Sequence, residues 1–204
     1  GNSLRTVATD GHRMAVSEAA LQSVVKESRQ AIVPRKAVME LVRVLDESVG
    51  SVELLLSANH VRVEAPGLVF TAKLIDGRYP DYTKVLPARQ SKQLAVDREE
   101  LRIALGRAAI LSNEKFRGVR LGIGEQRLKI VAHNPEQEEA EEEVATDYAG
   151  EAMEVGFNVN YLIEATSALH SEQVVLGLSD PSSSCLIHSP GREYPRYVIM
   201  PMRL

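Results

Sequence analysis

The chain has 204 residues, of which 44% are hydrophobic and only 4% aromatic, and its formal net charge is −4. This length allows one large domain or two of ordinary size, with aliphatic cores because tryptophan is absent. The negative net charge argues against a generic nucleic-acid-binding protein, although a local basic face is compatible with an acidic body.

Several classes of site are also excluded by residues that are missing. Cys185 is the only cysteine, so neither an internal disulfide nor a cysteine zinc site can form, and a reducing cytoplasm is the expected compartment. No apolar run approaches the roughly 18 residues of a membrane-spanning helix, so no membrane contact is expected. The sequence has no glycine-rich phosphate loop, no paired histidines at metal-binding spacing and no nucleophile elbow. We therefore expect no cofactor and no metal.

The first 20 residues predict a β-hairpin that ends a larger repeating unit. Residues 4–9 and 14–16 have strand-like sequence, and Asp10-Gly11 between them is a common hairpin turn. The helix of that unit would precede residue 1. We therefore expect the chain to begin partway through a module.

Three amphipathic helices are predicted at nearly constant spacing. Their opening segments begin at Val33, Val96 and Phe157, at offsets of 63 and 61 residues, and Asp97 and Asn158 are favoured N-cap residues. Apolar residues then recur at helical spacing, which predicts one buried stripe and one exposed face for each helix. The predicted stripes are Val38, Leu41, Val42 and Leu45; Leu101, Ala104, Leu105 and Ala108; and Leu162, Ala165, Thr166 and Leu169.

Strand-like sequence follows each helix, within residues 52–74, 119–132 and 174–200. The repeating unit is therefore βαβββ, which predicts an α+β fold with helices on one face of antiparallel sheets. Residues 87–93 are polar and aperiodic, so we interpret them as a linker. The expected domains are residues 1–91 and 92–204.

Two further motifs allow more than one interpretation. Asp10 and His12 could suggest a hydrolase, but no nucleophile accompanies them, and a hairpin turn or a binding role explains them as well. Residues 136–143 contain six glutamates without the alternating aspartates of a calcium loop. Such a run is typical of a solvated face, and the alternative is a docking strip for a basic partner. We expect no catalytic residue.

The helix faces and the C-terminal tail are the remaining candidate binding surfaces in the sequence. Lys36 and Arg43 lie on one predicted helix face, where they could contact phosphates without reading bases, although Glu40 nearby also fits an ordinary exposed face. The tail at residues 197–204 is apolar and includes Met200 and Met202. It fits either an adaptable binding groove or a final core strand.

Five segments resemble the bacterial DNA polymerase III beta subunit family, the sliding clamps. They are residues 7–16, 76–82, 110–121, 134–142 and 197–204, and they occur in the family's order across essentially the whole chain. The resemblance implies a non-enzymatic processivity factor of DNA replication, in which two identical subunits of three similar domains form a ring. This chain would be the later part of the second domain and the whole third domain.

The resemblance also implies a peptide-binding pocket between the second and third domains. Its partners would be linear motifs of DNA polymerase subunits, the clamp loader and repair proteins. The matching positions are Thr9, Gly11, His12, Arg13, Met14, Pro80, Lys84, Val85, Phe116, Asn158, Tyr161, Ser182, Ser184, Val198, Ile199, Met200, Pro201, Met202, Arg203 and Leu204. The tail is then expected to fold back beside the His12 hairpin, with Met14, Val85, Val198 and Met200 among the apolar residues of the pocket floor.

Two other surfaces follow from the resemblance. Helices that line the hole of the ring would contact duplex DNA through its backbone, with the candidates Arg35, Lys36, Arg43, Arg102 and Arg107. The subunit interface would include Ile110, Leu111, Glu136, Glu138, Glu139, Glu141 and Glu142, facing a basic edge of the first domain. Because that domain is absent, the chain is expected not to close the homodimer ring. A non-replicative scaffold or dimerisation module is the alternative function.

Overall fold

A computed structural model describes residues 1–45, 50–87 and 89–203. In this part of the chain the helices are α1 (Arg35–Val44), α2 (Arg98–Ile110) and α3 (Val159–Ser167), with a short 3₁₀ helix at Tyr82–Lys84. The strands are β1 (Ser3–Thr9), β2 (Arg13–Ala20), β3 (Glu53–Leu56), β4 (His60–Ala65), β5 (Leu68–Lys73), β6 (Lys92–Asp97), β7 (Gly118–Gly124), β8 (Arg127–His133), β9 (Glu139–Ala145), β10 (Met153–Asn158), β11 (Gln173–Leu178), β12 (Cys185–His188) and β13 (Arg196–Ile199). No helix in these ranges has the length and apolar character needed to cross a membrane.

The chain divides into two compact units. The smaller unit contains Gly1 and residues 23–81, and the larger contains residues 2–22 together with the chain from residue 82 onward. The N-terminal hairpin β1–β2 therefore belongs to the larger unit. The segment interpreted as a linker, within residues 87–93, also belongs to the larger unit. There, Ser179 Oγ donates a hydrogen bond to the carbonyl oxygen of Arg89 at 2.5 Å.

The smaller unit combines α1 with the antiparallel sheet β3-β4-β5. Val61 and Val63 on the central strand are buried, and so is Ala37 on α1. The predicted buried stripe of α1 is only partly covered in this structure, because Leu41 and Leu45 are half-buried while Val38 and Val42 are 44% and 70% exposed. The helical periodicity identified the helix correctly but not the surface that covers it.

The larger unit contains two antiparallel sheets with the strand orders β1-β2-β13-β12-β11-β6 and β10-β7-β8-β9. The two complete modules, β6-α2-β7-β8-β9 and β10-α3-β11-β12-β13, exchange their first strands: β6 pairs with β11, and β10 pairs with β7. Each module therefore completes a sheet of the other. The α+β fold of βαβββ modules predicted from the sequence is confirmed.

The helices of the larger unit match their predictions closely. All eight predicted stripe positions of α2 and α3 are buried, from Leu101 to Ala108 and from Leu162 to Leu169. Asp97 Oδ1 accepts hydrogen bonds from the backbone N–H groups of Glu99 and Glu100, so it caps α2 as expected. Cys185 is fully buried in the same core, and burial raises the pKa of its thiol to about 12, so it behaves as a small apolar residue.

Candidate functional site

The turn between β1 and β2 is fixed by its own side chains. The Asp10 carboxylate accepts hydrogen bonds from the backbone N–H groups of His12 and Arg13, each at 3.0 Å. Thr9 Oγ1 donates to the carbonyl oxygen of Arg13, and Gly11 adopts a φ of +87°, which glycine tolerates without strain. Partial burial pushes the pKa of Asp10 upward, but these hydrogen bonds and the Arg13 guanidinium outweigh it and lower the pKa. Asp10 is therefore a turn-forming carboxylate.

The C-terminal tail pairs with this hairpin, as the resemblance to sliding clamps implied. Strand β13 is antiparallel to β2, with Val198 opposite Met14 and Ile199 opposite Arg13. The N–H of Met200 then donates to the carbonyl oxygen of His12 at 2.9 Å. Segments at the two ends of the chain thus form one continuous surface.

Beyond β13 the tail crosses to the second sheet. The N–H of Met202 donates to the carbonyl oxygen of Gly156 in β10 at 2.8 Å. Pro201 is half-buried between these two anchored methionines, and Arg203 is exposed. Leu204, a predicted pocket residue, lies outside the described residues.

An apolar cluster lies on one face of the β2–β13 pair. Its buried members are Met14, Val16, Leu186 and Val198, and it is covered by Val7, Tyr82, Leu86 and Tyr194. Met14 and Val198 are only 3% and 1% exposed, whereas Val85 and Met200 are 37% and 41% exposed. Met14 and Val198 therefore lie in the interior, whereas Val85 and Met200 present apolar surface to solvent.

Arg13 lies on the opposite face and connects the hairpin to α3. Its Nε donates to Asp10 Oδ2 at 3.0 Å, and its Nη1 donates to Glu164 Oε2 at 2.7 Å. The guanidinium lies 4.2 Å from the centre of the Tyr161 ring, which is a cation–π distance. Partial burial by itself would lower the pKa of Arg13, but the two carboxylates raise it.

The first turn of α3 supplies the next part of the surface. Asn158 Oδ1 accepts hydrogen bonds from the N–H groups of Asn160 and Tyr161, and its Nδ2 donates to the carbonyl oxygen of Phe116 at 3.3 Å. Asn158 therefore caps the helix and holds the loop that carries Phe116. Phe116 is 55% exposed, and the Lys115 ammonium lies 5.3 Å from the centre of its ring.

The remaining predicted pocket residues are more dispersed. The backbone N–H and the hydroxyl of Ser182 both donate to Asp180 Oδ1, at 2.8 and 2.5 Å. Hydrogen bonds from Ser182 and Ser183 lower the pKa of Asp180 to about 2. Ser182 is thus occupied within its own loop, and Ser184 is half-buried just before β12. Lys84 ends the 3₁₀ helix of the larger unit, whereas Pro80 belongs to the smaller unit.

Three of the five candidate DNA-binding cations are engaged with carboxylates. The arginine–glutamate pairs are Arg43–Glu40 at 2.6 Å, Arg102–Glu99 at 2.5 Å and Arg107–Glu142 at 2.6 Å. Arg35 and Lys36 are exposed and form no ion pair with any residue that the structure describes.

The acidic run forms a strand that the sequence analysis did not identify. Residues 139–145 make β9, the last strand of its sheet, and Glu139 and Glu141 are exposed. Glu142 points to the other face, where it accepts two hydrogen bonds from the Arg107 guanidinium of α2. Among the other predicted interface residues, Ile110 is 77% exposed, Leu111 is half-buried, and Glu136 and Glu138 lie in the exposed loop before β9.

Glu164 is the residue of this site that sequence reasoning missed. It contacts Arg13 although 151 residues separate them in the chain. The sequence did contain a relevant pattern, because Glu164 follows the predicted pocket residue Tyr161 by three positions. Residues at this spacing lie next to each other on a helix, so Glu164 shares a helix face with Tyr161. The partner of that helix face, however, could be known only from the fold.

Repeated βαβββ modules that exchange strands, together with an apolar surface beside a C-terminal strand, define the class of DNA-clamp folds. Comparison with protein families makes the assignment specific. The family model "DNA polymerase III beta subunit, central domain" matches residues 1–81, and "DNA polymerase III beta subunit, C-terminal domain" matches residues 83–203. The chain belongs to the DNA polymerase III beta subunit family.

Individual relatives agree with this assignment. The beta sliding clamp of Pseudomonas putida is 48% identical over 203 residues, a match that covers 100% of this chain and 55% of the relative. That of Escherichia coli K12 is 49% identical over 205 residues, covering 100% and 56%. A crystal structure of the Pseudomonas aeruginosa sliding clamp bound to griselimycin superimposes with a TM-score of 0.96 at 48% identity, covering 100% and 55%. The chain thus spans little more than half the length of these relatives.

Proposed function

We propose that this chain is part of a DNA sliding clamp, and that its larger unit binds short apolar linear motifs of DNA polymerase subunits, the clamp loader and repair proteins. The observation that carries the proposal is the pairing of the Met200 tail with the His12 hairpin beside the apolar cluster. Exposed apolar side chains next to backbone held by a rigid sheet suit an extended peptide.

The chemistry of the surface fits a binding function better than catalysis. Asp10 is occupied by the turn and carries a lowered pKa, so it is a poor general base near neutral pH. Met200 and Val85 offer apolar contact area, and the flexible thioether of methionine adapts to different side chains. Partner recognition without turnover is the expected activity.

In the whole protein we propose a homodimeric ring around duplex DNA. Helices would contact phosphates without reading bases, which permits sliding because no base identity holds the ring in place. The exposed strand β9 and Ile110 would form part of the subunit interface. We further propose that domains at residues 1–91 and 92–204 correspond to parts of the second and third clamp domains, that this chain by itself does not close the ring, and that the protein works in the cytoplasm.

Binding of a fluorescent apolar peptide, taken from a polymerase subunit, tests the site. We expect a dissociation constant in the micromolar range, which corresponds to a binding free energy of about −8 kcal/mol. Met200→Asp should weaken peptide binding by at least about tenfold, because the bound peptide would cover a carboxylate in place of an apolar side chain. Griselimycin, which is bound in the P. aeruginosa structure, should compete with the peptide.

The matched control is Met39→Asp, since Met39 is 55% exposed on α1 in the smaller unit. This variant should bind like the unmodified chain. Equal peptide affinity of the Met200→Asp variant and the unmodified chain would refute the assignment of the site.

A further inference from the structure

Arg5 in β1 connects three separate parts of the larger unit. Its Nε donates a hydrogen bond to Glu18 Oε2 on the neighbouring strand β2 at 2.7 Å. Its Nη1 donates to the hydroxyl oxygen of Tyr82 at 2.9 Å, although 77 residues separate the two in the chain. The guanidinium also lies 5.7 Å from the centre of the Tyr194 ring, which is within cation–π distance. Arg5 is therefore held by several partners at once, and from that position it fixes the Tyr82 hydroxyl.

Tyr82 in turn begins the segment that carries Val85. It is the first residue of the 3₁₀ helix, and its carbonyl oxygen accepts a hydrogen bond from the N–H of Val85 at 3.0 Å. Tyr82 packs against the buried apolar cluster that contains Met14 and Val198. Arg5 holds the hydroxyl at the far end of the same side chain. The position of Val85 depends on these contacts, because Val85 and Tyr82 share one hydrogen-bonded turn.

We propose that Arg5 is a positioning residue for peptide binding, which holds Tyr82 and thereby keeps Val85 in place at the binding surface. Val85 is exposed and offers apolar contact area, and a peptide gains most from such a residue when its position is fixed before binding. Without the Arg5 guanidinium, the turn must be ordered during binding, which lowers the affinity. The inference rests on the proposed peptide-binding function and adds a residue that acts through Tyr82.

The test measures the dissociation constant of the fluorescent apolar peptide for the unmodified chain, Arg5→Met, Tyr82→Phe and the double variant. Arg5→Met keeps a long side chain but removes every N–H donor, whereas Tyr82→Phe keeps the ring and removes only the hydroxyl. Each single variant should weaken peptide binding about three- to tenfold. The double variant should bind no more weakly than Arg5→Met, because both changes remove the same hydrogen bond.

Amide hydrogen exchange of Val85, measured without peptide, reports on the turn itself. The Val85 N–H is hydrogen-bonded to Tyr82, so its exchange should be about three- to tenfold faster in both single variants. Exchange at Leu176, which is buried in β11, should stay as it is. Equally faster exchange at Val85 and Leu176 would overturn the inference, because Arg5 would then stabilise the whole unit and not this turn.

The matched control is Arg196→Met. Arg196 lies over the same Tyr194 ring, 5.0 Å from its centre, but its hydrogen bonds go to Glu193. This variant should therefore leave both the peptide affinity and the exchange of the Val85 amide unchanged.

The affinities distinguish failure of this inference from failure of the proposed function. Equal weakening by Arg196→Met and Arg5→Met, or no weakening by Arg5→Met while Met200→Asp still weakens binding, would contradict the role of Arg5 and leave the binding site intact. If Met200→Asp bound the peptide as well as the unmodified chain does, the site itself would be wrong, and the inference with it.

Discussion

A single added methyl group should have opposite effects at two glycines. Gly106 lies in the middle of α2 on its exposed face, and a Cβ built there meets no atom within 4 Å. Glycine weakens a helix interior by about 0.5–1 kcal/mol relative to alanine. Gly106→Ala should therefore stabilise the protein by that amount and raise the midpoint of thermal unfolding by about 1–4 °C, measured by circular dichroism.

Gly177 in β11 provides the matched contrast. A Cβ there would lie 2.8 Å from Gln90 Cγ and 3.1 Å from Gln90 Cβ, so the segment that carries Gln90 must shift. Overpacking of this kind costs about 1–3 kcal/mol, and Gly177→Ala should lower the unfolding midpoint. A higher midpoint for Gly177→Ala than for Gly106→Ala would contradict the packing described for this segment.

At the scale of elements, exposure decides which apolar helix residues matter for stability. Leu105 of α2 is completely buried, so Leu105→Ala should cost about 2–5 kcal/mol of unfolding free energy through lost contacts and a cavity. Val42 of α1 is 70% exposed, and Val42→Ala should change the free energy by no more than about 0.5 kcal/mol. Urea unfolding measures both. A large loss for Val42→Ala would show that another surface covers α1 in solution.

The same comparison shows how far elements could be predicted from the sequence. Periodicity and N-caps identified α2 and α3 together with their buried faces, since those faces pack within the chain. The periodicity of α1 was equally clear, but periodicity reports that a helix is amphipathic and not whether its apolar face is covered. Strand β9 was missed because glutamate-rich sequence has low strand propensity, and pairing with β8 overrides it.

At the scale of the whole molecule, the site could be predicted only in part. The alternating pattern of residues 197–204 was consistent with a strand, and the resemblance to clamps suggested that it lies beside the hairpin. The ionic partners of Arg13 and Arg107 could not be derived, because each depends on where separate helices and strands meet. The Arg43–Glu40 pair differs, because its members lie three residues apart on one helix and Glu40 was already noted beside the Lys36–Arg43 face. Charge counting along the sequence therefore overstated the number of free cations on the helices.

These ion pairs set the strength of DNA binding expected from the chain alone. If only Arg35 and Lys36 contact phosphates, the logarithm of the binding constant should fall with the logarithm of salt concentration with a slope of about −1.8. Five contacts would give a slope of about −4.5. The smaller slope corresponds to roughly tenfold weaker binding at 200 mM than at 50 mM salt, which fluorescence anisotropy of labelled duplex DNA can resolve.

Charge-matched variants show whether the location of the cations matters. Replacing both Arg35 and Lys36 by glutamine should abolish most of the salt dependence, because these two exposed cations have no carboxylate partner among the described residues. Replacing Lys26 and Lys73 by glutamine removes the same charge from other exposed positions of the smaller unit and should leave the slope nearly unchanged. Equal slopes for the two double variants would mean that net charge, and not the face of α1, governs the contact with DNA.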